Sequence, residues 1–170
     1  MKVSLSILPI LLLLSACASY DGRGLQPGKA GFDDIVRVMG QPAMQWQNSD
    51  GSRQLAYPRG PMGVHTFMAV IDSAGKLKSL KNVLDDKTFA QIQPGMSKDQ
   101  VLRILGPSEP SWSVYYARRD ELVWEWRYCN QLNQPSRFDV MFNRSKGTVR
   151  SSMGMTESQR GLCGERECMC

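Results

Sequence analysis

The tripeptide Gln-Pro-Gly occurs twice, at Gln26-Pro27-Gly28 and Gln93-Pro94-Gly95, and each copy leads into a short apolar segment that ends at a glycine. After Gly28 comes Asp33-Asp34-Ile35-Val36-Arg37-Val38-Met39-Gly40, and after Gly95 comes Asp99-Gln100-Val101-Leu102-Arg103-Ile104-Leu105-Gly106, in the same polar, apolar and basic order. Trp46 and Trp112 follow at equal distance from those terminal glycines, and Phe67-Met68-Ala69-Val70-Ile71-Asp72 is answered later by Phe138-Asp139-Val140-Met141-Phe142-Asn143. Self-similarity of this kind means that one small supersecondary unit is built twice.

The first residues do not belong to either copy. Met1-Lys2 is a minimal basic start, Val3 to Leu14 is an apolar run too short to span a bilayer, and Leu14-Ser15-Ala16-Cys17 closes it with small residues and a thiol. This resembles the lipobox of bacterial lipoprotein signals. The resemblance implies cleavage between Ala16 and Cys17, a lipid on the Cys17 sulfur and acylation of the new amino end. Two or three acyl chains, each buried methylene contributing about 0.8 kcal/mol, anchor far more firmly than one. Ala18 follows the lipidated position. In such lipoproteins an Asp there resembles an inner-membrane retention signal, so its absence points to the outer membrane. No cofactor is expected beyond this covalent lipid.

The remainder is long enough for one ordinary domain or two small ones packed together. A 42% apolar composition with four Trp, five Tyr and five Phe supports buried cores. The expected division is a signal peptide over 1–16, a lipidated tether over 17–25, a first repeat over 26–80, a second over 81–152 and a cysteine-containing tail over 153–170. The net charge is +5. Arg118, Arg119, Arg137, Arg144, Lys146 and Arg150 concentrate in the second half, either as a solvated strand face or as an attraction for anionic phospholipid or an acidic partner. No nucleic-acid-binding motif accompanies them.

Local signals give each repeat a helical and a sheet portion. Ser97 with Gln100 three residues on is a capping box, and Met96 and Val101 are placed to staple across it. Asp85 caps a preceding short helix, with Leu84 and Phe89 as its staple and Pro94 as its stop. The first repeat keeps only the second helix, Phe32 to Met39, with Gly31 at the cap position and Asp34 three residues later.

Period-two alternation then takes over. Leu122, Trp124, Trp126 and Tyr128 share one face of a strand while Glu125 and Arg127 share the other. Ser111 to Tyr116 reads as the strand before it, turning at Arg118-Arg119-Asp120; Phe138, Val140 and Phe142 line the strand after it, and Thr148 to Ser152 follow. The first half repeats this over Ala43 to Gln47, Gln54 to Tyr57, Thr66 to Ile71 and Leu77 to Leu80. Short turns make the strands antiparallel. The expected class is α+β: a tandem repeat of a small unit with one or two short helices on a three- to four-stranded antiparallel sheet.

The run Ile92-Gln93-Pro94-Gly95-Met96-Ser97-Lys98-Asp99-Gln100-Val101-Leu102-Arg103-Ile104-Leu105-Gly106-Pro107, followed by a Trp-bearing hairpin, resembles the small-protein-A/OmlA domain of BamE, the lipoprotein subunit of the outer-membrane β-barrel assembly machinery. Leu55-Ala56-Tyr57-Pro58-Arg59-Gly60-Pro61 through Asp72-Ser73-Ala74-Gly75-Lys76-Leu77 looks like the sheet portion of the same family. The tandem β-lactamase-inhibitory proteins have a similar unit. A single-domain BamE has one such unit, whereas this chain has two.

Catalytic chemistry has little to draw on. His65 is the only histidine, and neither a Gly-x-Ser-x-Gly elbow nor a His-Glu-x-x-His helix accompanies it. It is placed at the start of a strand. Asp33-Asp34 and Asp85-Asp86 sit at helix starts, where they favour the positive end of the dipole. A non-enzymatic protein is expected.

With Cys17 lipidated, Cys129, Cys163, Cys168 and Cys170 remain, an even number in an oxidising compartment, and two disulfides are the default. Three pairings are open, of which Cys129 with a tail cysteine would pin the C-terminus onto the sheet. A four-thiolate zinc site is the competing reading, although Cys163-x4-Cys168-x-Cys170 lacks paired C-x2-C spacing.

Function is then expected from surface and tether. Residues 17–25 reach about 30 Å at most, so the first unit stays near the membrane. The leading expectation is a periplasm-facing outer-membrane lipoprotein that serves as scaffold or assembly factor in envelope biogenesis, with assembly-machinery subunits and anionic phospholipid as partners. The alternative is a proteinaceous inhibitor of a periplasmic or secreted enzyme. Candidate contacts are Tyr57, Arg59, Pro61 and Met62 in the Pro/Gly loop, with Trp112, Tyr115 and Tyr116 from the aromatic hairpin wherever these are exposed. For the aromatics, burial in the core is the competing explanation.

Overall fold

The computed structural model describes residues 19–164 and 168–170, so the expected signal peptide and Cys17 lie outside the described residues. The elements run α1 (Phe32–Met39), β1 (Met44–Gln47), β2 (Arg53–Pro58), β3 (Thr66–Ile71), β4 (Leu77–Asn82), α2 (Asp86–Phe89), α3 (Lys98–Leu105), β5 (Val114–Tyr116), β6 (Glu121–Cys129), β7 (Pro135–Asn143) and β8 (Thr148–Thr156). Strands β1 to β4 form one antiparallel meander and β5 to β8 a second. The architecture is therefore α+β with two repeated units.

The Gln-Pro-Gly turns show how far the repetition goes. Gly28 N–H donates to the Leu77 carbonyl and Leu77 N–H returns a bond to Ala30 O, each at 2.8 Å; Gly95 N–H donates to Val149 O and Val149 N–H to Met96 O, again at 2.8 Å. Each turn is thus stitched to the last strand of its own sheet, which fixes where the following helix starts. Ser97 and Gln100 exchange both bonds of a capping box, at 2.8 and 3.2 Å. Asp85 accepts from Thr88 N–H at 2.7 Å. Gly31 has no side chain to contribute, so α1 keeps half of the arrangement, with Asp34 accepting from Gly31 N–H at 2.9 Å.

Apolar spacing decides what each helix covers. Ile35 and Met39, one turn apart, lie on Leu55, Tyr57, Ala69, Ile71 and Leu77. Val101 and Leu105 do the same over Trp126, Phe138, Val140 and Phe142, joined by Phe89 and Ile92. Phe89 stacks on Phe138 with centroids 4.0 Å apart. In β2, however, Leu55, Ala56 and Tyr57 are buried in succession, so both faces of the first sheet are covered. The second cover is α3. Leu102 packs with Trp46, Ala56 and Met68 of the first unit, and Gln54 Nε2 donates to Arg103 O at 2.5 Å. The helix of the second unit is therefore shared between the two sheets, which makes the units interdependent.

Gly106 closes α3 at that junction with φ +74° and ψ −174°. Only glycine occupies this region without strain, and a Cβ there would lie 2.8 Å from Thr66 Cγ2. Its carbonyl accepts from the buried Trp126 Nε1–H at 3.2 Å.

Three strand-level expectations change. Residues Pro110–Trp112 form a 3-10 turn, and the strand starts only at Val114, because Glu109 Oε1 accepts from Ser111 N–H and Oγ–H at 3.1 and 2.8 Å and winds the chain there. Strand β8 runs on to Thr156, paired with Ser136, because β7 starts early enough to partner it. The polar face of β6 and β7 is not solvated: Arg137 and Asp139 are buried there beneath Glu157 and Arg160.

Candidate binding cleft between the units

A cleft of about 250 Å³ opens where the Pro/Gly loop after β2 faces the turn after α3. Pro58, Gly60, Pro61, Gly63 and His65 form one wall. Pro107, Ser108, Glu109, Pro110 and Trp112 form the opposite wall, and Glu125, Trp126 and Arg127 of β6 line it further. It is thus assembled from both units. The loop holds itself in shape: Gly63 packs so closely on Arg59 that a Cβ would lie 1.6 Å from the Arg59 carbonyl oxygen. From the second unit, Arg127 Nη1 donates to Met62 O at 2.5 Å and closes the loop against β6.

The outer side of the same loop holds the start of the described chain. Arg59 donates from Nε to Tyr20 O at 2.7 Å and from Nη2 to Ser19 O at 3.0 Å. Tyr20 Oη lies 2.9 Å from His65 Nδ1, and its ring stands edge-on to both His65 and Phe67. Burial lowers the His65 pKa and raises that of Tyr20, which favours the neutral forms of both. The single histidine is occupied in a structural contact.

Behind the cleft lies an ion network. Arg127 reaches Glu157 with Nε and Nη2 at 2.7 and 3.0 Å, Arg137 bridges Glu157 and Glu125 at 2.6 and 2.8 Å, and Arg160 joins Glu125 at 2.6 Å and pairs with Asp139. Three guanidinium groups meet three carboxylates, so the network is balanced in formal charge. Hydrogen bonds from Arg127 and Arg137 hold Glu157 below the usual carboxylate range. Burial pushes Asp139 up to about 6, opposed by Arg160 and assisted by Glu125. Asp139 Oδ1 and Arg160 Nε have no hydrogen-bond partner among the described residues.

The expected contact residues separate into four groups. Pro61 and Trp112 both line the cleft, Trp112 with the Arg137 guanidinium 3.9 Å from its ring, and Met62, 63% exposed, stands beside it. Tyr57 is 2% exposed in the first core, its hydroxyl has no hydrogen-bond partner among the described residues and burial pushes its pKa up to about 12, so it is no surface contact. Arg59 is committed to the Ser19 and Tyr20 carbonyls. Tyr115 and Tyr116 are exposed rather than core, each under a guanidinium, Arg144 and Arg119, at 4.5 Å from the ring. Cys129 pairs with Cys170, and Cys163 with Cys168. Sequence reasoning missed Glu109, Pro58, Pro107 and Pro110. The available signal was the matching three-residue spacing of the two proline pairs, one in each unit.

No curated protein matches the chain. Among solved structures, it is similar to the 1.5 Å crystal structure of an extracellular protein containing a SCP domain from Bacillus anthracis str. Ames, with 9% identity and a TM-score of 0.29. That likeness covers 94% of this chain and 51% of the other, so the chain spans about half the length of that structure. The family comparison falls on the second unit: residues 81–153, from the end of β4 through α2, α3 and β5 into β8, match the outer membrane protein assembly factor BamE domain.

Proposed function

We propose that this protein is a non-enzymatic scaffold of outer-membrane protein assembly, held at the periplasmic face of the outer membrane by lipid on Cys17. The match of residues 81–153 to the BamE domain carries the reading. On this reading the first repeat is a second copy of the same unit, fused through the shared α3. The tether supports it. Only one residue, Ala18, separates Cys17 from Ser19, where Arg59 grips the chain, so lipid on Cys17 would hold the Pro/Gly loop within about 20 Å of the bilayer. The exposed Tyr115 and Tyr116 with Arg119 and Arg144 offer a surface for anionic headgroups or an assembly subunit.

Mild-detergent extraction of the tagged, full-length protein followed by mass spectrometry tests this. Barrel-assembly subunits are expected to be retained. Retention of a hydrolase with no assembly subunit would overturn the scaffold reading.

A further inference from the structure

The cleft between the units has a chemistry that selects its occupant. Its walls hold four prolines and two tryptophans, rigid apolar surfaces in which the prolines offer no N–H donors. At about 250 Å³ it is smaller than the usual cofactor or drug-sized site and has room for one or two side chains. The charges lining it are not equivalent. Arg127 and Glu125 belong to the balanced ion network. Glu109 forms no ion pair among the described residues; its Oε1 accepts from Ser111, while Oε2 faces Gly60 across the gap, 3.7 Å from where a Cβ on that glycine would be. His65 is biased toward its neutral form. The uncompensated charge in the cleft is therefore one carboxylate, which favours a cation and repels an anion.

We propose that this cleft binds an extended segment of a protein partner, placing an aliphatic side chain between Trp112 and the prolines and an adjacent Lys or Arg on Glu109. The assignment rests on reading the protein as a scaffold. Aromatic-lined grooves take extended, proline-containing segments at low entropic cost because the segment is already extended before it binds, and a carboxylate beside the groove fixes its direction through a charge-assisted bond to a basic residue. The loop is already closed by Gly63 and by Arg127 on Met62 O, so little ordering remains to oppose binding. Both walls are required, so the site exists only because the unit is doubled.

The test uses the mature chain and a blocked hexapeptide, Ala-Pro-Leu-Lys-Pro-Ala, followed by NMR of the Trp112 and Trp126 indole N–H groups and the loop amides. Saturable shifts at Trp112 and residues 58–66 are expected in the millimolar range. Replacing the peptide's Lys by Glu should abolish them. Glu109→Gln, which keeps the acceptor for Ser111, should weaken binding about tenfold with an unchanged melting temperature. No shifts at millimolar peptide, equal binding of the Lys and Glu peptides, or an indifferent Glu109→Gln would each overturn the site. Peptide binding without capture of assembly subunits would leave the site standing and sink the scaffold reading, and the converse would sink the site alone.

Discussion

Arg127 joins two distant parts of the chain through one guanidinium: Nη1 donates to the Met62 carbonyl at 2.5 Å, and Nε and Nη2 clasp Glu157 at 2.7 and 3.0 Å. The first bond belongs to the Pro/Gly loop and the other two to the segment after β8. One strand residue of the second unit thereby sets the shape of a loop in the first. The cleft inherits its geometry from this arrangement.

Arg127→Ala is expected to cost roughly 2–3 kcal/mol in denaturant unfolding, because Glu157 stays buried with only Arg137 to balance it. Arg127→Lys should recover part of that loss, since it keeps the charge but not the fork. Hydrogen exchange at Met62 and Gly63 should quicken in both variants. An Arg127→Ala protein with wild-type stability and unchanged loop exchange would show that the contact is passive.

Asp139 gives the network a pH signature. Its pKa, pushed up to about 6 chiefly by burial, lies above the unfolded value near 3.9, so between about pH 4 and 6 the native state binds more of this proton than the unfolded state. Its charged form therefore costs stability at neutral pH, and that cost is relieved as pH falls. Arg160 and Glu125 face it in every form. Wild type relative to Asp139→Asn should gain roughly 2 kcal/mol between about pH 7 and pH 4. Glu157, held low by its arginines, loses stability as pH falls in both proteins, so the Asp139 contribution is read from the difference between them. A pH-independent difference would contradict the assignment.

The contrast between these groups and the helix caps explains what a sequence can disclose. Ser97 and Gln100, or Asp85 and Thr88, are three residues apart, so the chain itself brings them together. The alternation of Trp124, Trp126 and Tyr128 likewise points one way because a strand has period two. The other face of the same strand misleads for the same reason. Glu125 and Arg127 alternate as a solvent-facing row would, yet Glu157 and Arg160 return from beyond β8 to cover them. Arg59 is hard to place in a core from its sequence context, and its partners, the carbonyls of Ser19 and Tyr20, carry no side-chain signal at all. Glu109 escapes notice in the sequence because its importance depends on Gly60, which only the packing of the two units brings near.

That packing converges on Gly106. A methyl group there meets Thr66 Cγ2 at 2.8 Å and Ala56 Cβ at 3.5 Å while the backbone remains at φ +74°. Gly106→Ala should cost about 2–3 kcal/mol from strain and displaced packing together. Gly40 is the matching helix end in the first unit, at φ +84°, but a methyl group on it would have no described neighbour within 4 Å. Gly40→Ala should therefore show only the backbone part, about 1–2 kcal/mol. Equal losses in the two variants, measured by denaturant unfolding, would remove the inter-unit contact from the explanation.

The C-terminal segment has a covalent fastening as well as an ionic one. Cys129 at the end of β6 is bonded to Cys170 across 41 residues of sequence, and Cys170 N–H also donates to Asn133 O at 2.9 Å. That loop contains β7, β8, Glu157 and Arg160, so closing it restricts an unfolded chain that must otherwise search for the whole network. Chain-entropy arithmetic for a loop of this length gives about 4 kcal/mol as the upper range. The paired substitution Cys129→Ser with Cys170→Ser, which leaves no odd thiol to mispair, should lower stability by about 2–4 kcal/mol. Removing Cys163 and Cys168 together should cost less, because their sequence separation is 5. Non-reducing peptide mapping should recover the 129–170 and 163–168 links. Another pairing, or a larger loss from the short loop than from the long one, would show that the tail is held in some other way.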